Sequence, residues 1–441
     1  MGTNRSGRTT IAVTAAVCLL LGVPSSPAGA DHATTTRVSV GADGGDPDGY
    51  SSRAMMSGNG THIVFDSTAN NLVVPDNHRN LADVFWVDLA TGETRMVSTD
   101  HGGDNDPNGT STFPAVSCDG RYVAFMSTAN NLVPDDHPDS SNDIFRRDMQ
   151  TGVTVKMTVG FDGSPPNGGS ARTSMSCDGN LVAYNSRASN LVPGDDNGRI
   201  DLFVTDMTTG ETTRLAESND GDSARPILSG DGRYVAFTSD AGLLPADTNG
   251  KADIYRIELA TAELDLVSVN HRGGNLNRPS RRPHISHDGR YVMFQTGAPN
   301  VVQDDTNGVE DVFMRDMVSG TTTRISFRHD GTPTTGQCTR GVVSDDARYV
   351  AAACADTRIV PDDTNQDYDA FLWDRVAGTV ELLGVSSADV QGDCPPPDGG
   401  EVTTRPTLSR DGRVIGIVSS HCNLVPNDNN DVLDIFVRDF T

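Results

Sequence analysis

The chain repeats one short phrase seven times, and that repetition limits its fold more than any other feature. Ser117-Cys118-Asp119-Gly120-Arg121-Tyr122-Val123-Ala124-Phe125 returns as Ser229-Gly230-Asp231-Gly232-Arg233-Tyr234-Val235-Ala236-Phe237 and as Ser286-His287-Asp288-Gly289-Arg290-Tyr291-Val292-Met293-Phe294. Looser copies start at Ser57, Ser176, Ser344 and Ser409. The turn positions are Gly60, Gly120, Gly179, Gly232, Gly289, Ala347 and Gly412, spaced 53 to 65 residues apart. A period this long, filled with short strands, is that of propeller blades or solenoid units.

Residues 113–159 show one repeat. Phe113 to Ser117 reads as a short strand, a, and Asp119-Gly120 as a tight hairpin turn. Arg121 to Ser127 is strand b, Asp143 to Asp148 strand c, and Thr154 to Val159 strand d, after a turn at Thr151-Gly152. No stretch holds a helical period over ten residues. Four short antiparallel strands per unit make a propeller blade. The last unit stops after Asp434-Ile435-Phe436-Val437-Arg438-Asp439, lacking a strand d. Thr34-Thr35-Thr36-Arg37-Val38-Ser39 matches the strand d of the fifth unit, Thr321-Thr322-Thr323-Arg324-Ile325-Ser326. The expected fold is therefore all-β: a seven-bladed β-propeller of four-stranded antiparallel blades. Residues 34–40 complete the blade formed by 404–441 and remove the exposed edge a solenoid would leave. Residues 31–441 form this one domain, with no room for a separate catalytic one.

Residues 1–30 read as a secretory signal. Arg5 and Arg8 precede an apolar stretch from Ile11 to Val23, and Ala28-Gly29-Ala30 is a small-residue cleavage site. The stretch is short for a membrane span, and no later one is long enough, so no membrane insertion is expected. The expected location is extracellular, or periplasmic if the cell has an outer membrane. Removing residues 1–30 takes two of the 34 basic residues and none of the 60 acidic ones, leaving a net charge of −28. Such a polyanion is a poor partner for nucleic acid or anionic lipid.

Six cysteines remain in the mature chain, an even count that suggests disulfides after export. Ser344 and Arg348 flank the turn Asp345-Asp346-Ala347, and a constant hairpin register from that turn places Cys338 opposite Cys354. Cys394 and Cys422 flank the next blade's first two strands, and Cys118 and Cys177 are left at the same turn position of neighbouring blades.

The Ser-x-Asp-Gly-Arg-x-Val-Ala-Phe run, the Asp-Ile-Phe of strand c and the Thr-Gly-x-Thr-x-x-Val-Ser of strand d resemble the TolB-type β-propeller repeat over residues 34–441. The TolB N-terminal α/β domain has no counterpart here. The resemblance implies a binding or scaffolding propeller and supplies no catalytic residue.

Strand alternation puts the short a–b and c–d turns on one face and the long b–c and d–a loops on the other. Binding on rigid scaffolds concentrates in such loops. Four residues before each repeat Ser stand Arg53, Phe113, Arg172, Arg225, Arg282, Arg340 and Arg405, six arginines of seven. Placed near the start of the innermost strand, they should form a partial ring at the central opening. Two readings follow. In one, each Arg pairs with an acid of a b–c loop and holds the loop down. In the other, the ring takes a carboxylate, a phosphate or an acidic glycan.

The b–c loops carry Asp195, Asn197 and Asp201; Asp247, Asn249 and Asp253; and Asp305, Asn307 and Asp311. Oxygen ligands around a Gly turn suggest possible calcium binding, although the loops lack a closing Glu. Asp and Asn also build turns by bonding their own backbone, and this reading stands first. His101, His271 and His329 lie in d–a loops and could meet on the loop face. No nucleophile, zinc spacing or phosphate-cradling loop accompanies them. The expected function is an exported, monomeric binding or scaffold propeller recognising a protein, peptide or cell-wall glycan. The alternative is a polysaccharide lyase or hydrolase with a loop-face active site.

Overall fold

In this computed structural model the described residues are 1, 33–74, 81–103, 107–134, 136, 141–303, 305–365, 368–393 and 403–441; the side chains of 403 and 404 are not described. The signal-like segment (Met1 apart) and Cys394 lie outside them. The strands make seven antiparallel four-stranded sheets, each holding strands a, b, c and d in spatial order. The innermost strands are Ser51–Met56, Ser111–Val116, Ser170–Met175, Ser223–Leu228, Ser280–Ile285, Cys338–Val343 and Thr403–Leu408, for blades one to seven.

Closure is as the sequence reading expects. Thr34–Arg37 pairs antiparallel with Asp434–Asp439, with Thr36 opposite Val437, and supplies strand d of blade seven. Ser39 Oγ then donates to Asp434 Oδ1 at 2.5 Å, locking the two chain ends together.

Each a–b turn is built by its own side chains. Ser117 Oγ donates to Asp119 Oδ1 (2.6 Å), which also accepts from Arg121 N (3.0 Å), while Ser117 Oγ accepts from Tyr122 N (2.9 Å). The acid ending strand c closes the outer turn. Arg121 grips Asp148 with two bonds, and Asp148 Oδ1 caps Gln150 N. This pairing holds the Asp148 carboxyl down to about 2. Repetition of the pattern at Arg290–Asp316 and Arg348–Asp374 gives these residues a structural role.

The core of blades one to five holds an aromatic pair across strands b and c. Phe65 faces Phe85, Phe125 faces Phe145, and Phe294 faces Phe313, with ring centroids 5.7 to 5.9 Å apart. Each such pair adds ~1 kcal/mol beyond its buried area.

Strand a carries an irregularity the sequence reading lacks. In every blade the pairing with strand b slips by one residue at the third position, for example between Ser52 and Met55. The residue there, Arg53, Phe113, Arg172, Arg225, Arg282, Arg340 or Arg405, has φ between +50° and +60°. This is a β-bulge, which re-aims the side chain it carries. Pro114, Pro226, Pro283 and Pro406 follow it directly, at a position where a missing N–H breaks no ladder bond.

The bulge also explains how Cys338 meets Cys354, as the disulfide shows. The register at the turn is Val343 to Val350, one residue off the constant sum assumed from Ser344 and Arg348. The bulge restores the missing residue before Cys338 is reached. Two offsets cancel, and the pair forms. Cys118 bonds Cys177, joining blades two and three, and Cys422 is disulfide-bonded as well.

Candidate anion pocket on the propeller axis

The strand a bulges turn their third residue toward the axis. Arg53, Phe113, Arg172, Arg225, Arg282, Arg340 and Arg405 line one central cavity of about 250 Å³, with Pro226, Ile227, Pro283, His284, Val342 and Pro406 among its walls. The ring is thus a shared lining, as the count back from each repeat Ser suggests.

The a–b turns are linked around one end of the axis. Cys118 N donates to Cys177 O (2.9 Å), Cys177 N to Gly230 O (2.8 Å), and Arg410 N to Gly58 O (2.8 Å), linking turns of successive blades. Side chains add to these links. His287 of blade five and Arg410 of blade seven both reach Cys177 Sγ of blade three, at 3.5 and 3.9 Å. Side chains of blades three, five and seven thus bridge the a–b end of the axis.

Three of the six ring arginines are not paired in the way a purely structural role requires. Arg53 alone of the six faces a strand b acid: its Nη1 lies 3.0 Å from Asp66 Oδ2. At the same strand b position the other blades carry Met126, Asn185, Thr238, Gln295, Ala353 and Val418. Arg172, Arg225 and Arg282 have no carboxylate within ion-pair distance among the described residues. They feel each other instead. Burial and then the neighbouring Arg172 and Arg282 lower the Arg225 guanidinium to about 10. Arg172 is lowered by burial and then by Arg282, Arg53 and Arg405.

Phe113, the one departure from the Arg series, fills its place with a ring face. Arg53 lies 4.5 Å and Arg172 4.9 Å from its centroid, so two cations bracket it. His284, two residues beyond Arg282, was not singled out from the sequence. Burial holds it down to about 4, so its ring is neutral at pH 7, and its Nδ1 has no partner in the pocket. Its only sequence signal is being the one histidine at the fifth strand a position.

The three loop histidines do not meet. His101, His271 and His329 belong to blades one, four and five. Each donates from Nδ1 to a carbonyl of the next blade: Asn131 (3.3 Å), Asn300 (3.2 Å) and Ile359 (3.3 Å). They act as latches between blades, and none lines the central cavity.

The Asp/Asn loops are held by protein groups. Asn307 Nδ2 donates to Asp311 Oδ2 at 2.7 Å, and Asn249 Nδ2 to Asp253 Oδ2 at 2.6 Å. Asn197 Oδ1 accepts from Arg199 N at 2.8 Å, an Asx turn. A strand d cation sits between the paired acids. Arg214 reaches Asp195 and Asp201 (3.2 and 3.8 Å), and Arg324 reaches Asp305 and Asp311 (3.2 and 3.8 Å). Blade four has Leu266 at that position, and Tyr255 donates to Asp247 instead. There burial, and then the nearby Asp247, raise Asp253 to about 6. Among the described residues no group of three or more His, Cys, Asp or Glu is placed to hold a metal ion.

No family model and no curated protein matches the chain. Solved structures do. An oligogalacturonate lyase in complex with manganese aligns with a TM-score of 0.56 at 13% identity, covering 92% of each chain. The β-propeller domain of the trilobed protease from Pyrococcus furiosus, described as having an open velcro topology, aligns at 0.52 with 10% identity, over 89% of this chain and 98% of that one. TolB from Acinetobacter baumannii aligns at 0.41 with 15% identity over 74% and 77%, too weakly to carry an argument. At these identities the likeness shows the seven-bladed fold alone.

Proposed function

We propose that this chain is an exported binding propeller whose axial pocket takes the acidic end of a ligand. The observation that carries the reading is the convergence of Arg172, Arg225 and Arg282 on one cavity without carboxylate partners. Like charges held together in a half-buried site cost stability. A ligand carboxylate or phosphate would remove that cost through charge-assisted, forked hydrogen bonds. The bridged a–b end favours entry of a chain terminus over threading of a polymer. The signal-like segment and the disulfides support export. The repeat motif supports a TolB-type grouping.

Carboxylates of the right size end both acidic glycans and peptides. Calorimetry with galacturonate oligomers and with an acidic peptide, free or amidated at its C-terminus, separates the two. The expected result is binding by one series, weakened more than tenfold by Arg225→Ala combined with Arg282→Ala. Equal affinity in the double variant would remove the anion pocket. A lyase or hydrolase reading rests on neutral His284 beside Arg282. It requires turnover of a bound glycan that His284→Gln abolishes.

A further inference from the structure

The two described disulfides sit in opposite surroundings. Cys338–Cys354 lies inside blade six, 0% and 1% exposed. Cys118–Cys177 lies at the a–b end of the axis, with both residues partly exposed. Its two sulfurs are also unlike. His287 Nδ1 and Arg410 Nη1 approach Cys177 Sγ, at 3.5 and 3.9 Å, and among the described residues no such polar contact reaches Cys118 Sγ. Arg410 is itself steered by an ion pair with Asp345. Beside Cys177, the His287 ring fills the space that a side chain at Gly230 would take. Gly58 packs against Cys118 without a side chain, and the Arg410 stem lies beside it.

Thiol–disulfide exchange is fastest when the departing sulfur is the better-stabilised thiolate and the attacked sulfur is accessible in line. The first condition selects Cys177 as the departing sulfur here. We propose that Cys118–Cys177 is a thiol-modification site, in which an incoming low-molecular-weight thiolate attacks Cys118 Sγ and Cys177 leaves. The Cys118–Cys177 bond breaks and a mixed disulfide forms on Cys118. The electron pair departs on Cys177 Sγ, facing Arg410 and His287, and the thiol's proton goes to solvent. No further oxidant is needed, and reversal by Cys177 expels the added thiol. Because the bond ties blades two and three at the a–b end of the axis, the modification would loosen that end while the blades stay intact.

The test uses the folded full chain and reduced glutathione, followed by differential alkylation and peptide mass spectrometry. The expected result is glutathione on Cys118, free thiol on Cys177 and Cys338–Cys354 unreacted. Arg410→Gln should slow the reaction about tenfold, with His287→Gln as a second slowed variant. Glutathione on Cys177, equal modification of Cys338 or Cys354, or no adduct in the folded wild-type protein would each overturn the proposal. The adduct's position is read on the unmutated chain, so it stands even if a variant folds poorly.

Discussion

The turn glycines answer two demands at once, and single substitutions separate them. Gly289 has φ +72°, and a Cβ there would run into Tyr234 Cδ2 of the preceding blade. Ala347 occupies the same turn position with φ +57°, its methyl buried in a cluster that Tyr291 packs against. Gly289→Ala should therefore cost more than ~2 kcal/mol in urea unfolding, whereas Ala347→Gly should move stability by less than ~1 kcal/mol. Asp253 gives a pH signature. Its carboxyl ordinarily titrates at 3.8 and is raised to about 6 by burial in the folded chain, so the folded state holds the proton more tightly. That contribution is complete below pH 3.8 and is lost as pH rises through 6. Asp253→Asn should be the more stable protein at pH 8, by on the order of 1 kcal/mol, with the gain vanishing toward pH 4. At this scale the sequence locates the ring arginines, because counting back from a repeated Ser needs no partner information. It could not reveal which of them pair with an acid of the facing strand. That depends on the facing strand b residue, an acid only at Asp66.

Within a blade, the disulfide replaces something blades one to four already have. Ser51 bonds Ser67, Ser111 bonds Ser127 and Ser223 bonds Ser239, at 2.9 to 3.0 Å, where blade six carries Cys338 and Cys354. Replacing both cysteines with Ser should restore that hydrogen bond. Loss of a cross-link this short costs ~3 kcal/mol in the chain-entropy model, and the new bond returns ~1 kcal/mol. Denaturant unfolding of the double-Ser variant should show a net loss of ~2 kcal/mol. The Asp/Asn loops predict a second outcome: with Arg214 and Arg324 between the acids, a chelator should leave the melting temperature within about 1 °C of the untreated protein. The strands themselves are legible in the sequence from their alternation and turns. The bulge is not, because Arg rarely adopts positive φ and only the four following prolines hint at it. The cysteine pair of blade six emerges from the sequence by a register argument whose two offsets happen to cancel.

Across the whole molecule, sevenfold repetition makes the scaffold plain and the function obscure. Repeated residues, such as the Arg–Asp grips of strands b and c, serve every blade alike. On the proposed reading, specific chemistry belongs where the copies differ: Phe113 in the ring, His284 in the wall, and the cysteines, His287 and Arg410 at the a–b end. Those differences stand in the sequence, but their convergence on one axis is visible only when the ring closes through Thr34–Arg37. The central claim is that Arg172, Arg225 and Arg282 are held apart from acids in order to meet a ligand, and one thermal-unfolding experiment tests it. Arg225→Met is compared with the unmutated protein, each alone and with saturating galacturonate oligomers or the acidic peptide, whichever binds. The account predicts that the variant alone is more stable, by on the order of 1 kcal/mol after solvent screening, and that the ligand-induced rise in melting temperature is lost. A variant that is less stable alone, yet keeps the full ligand-induced rise, would contradict it.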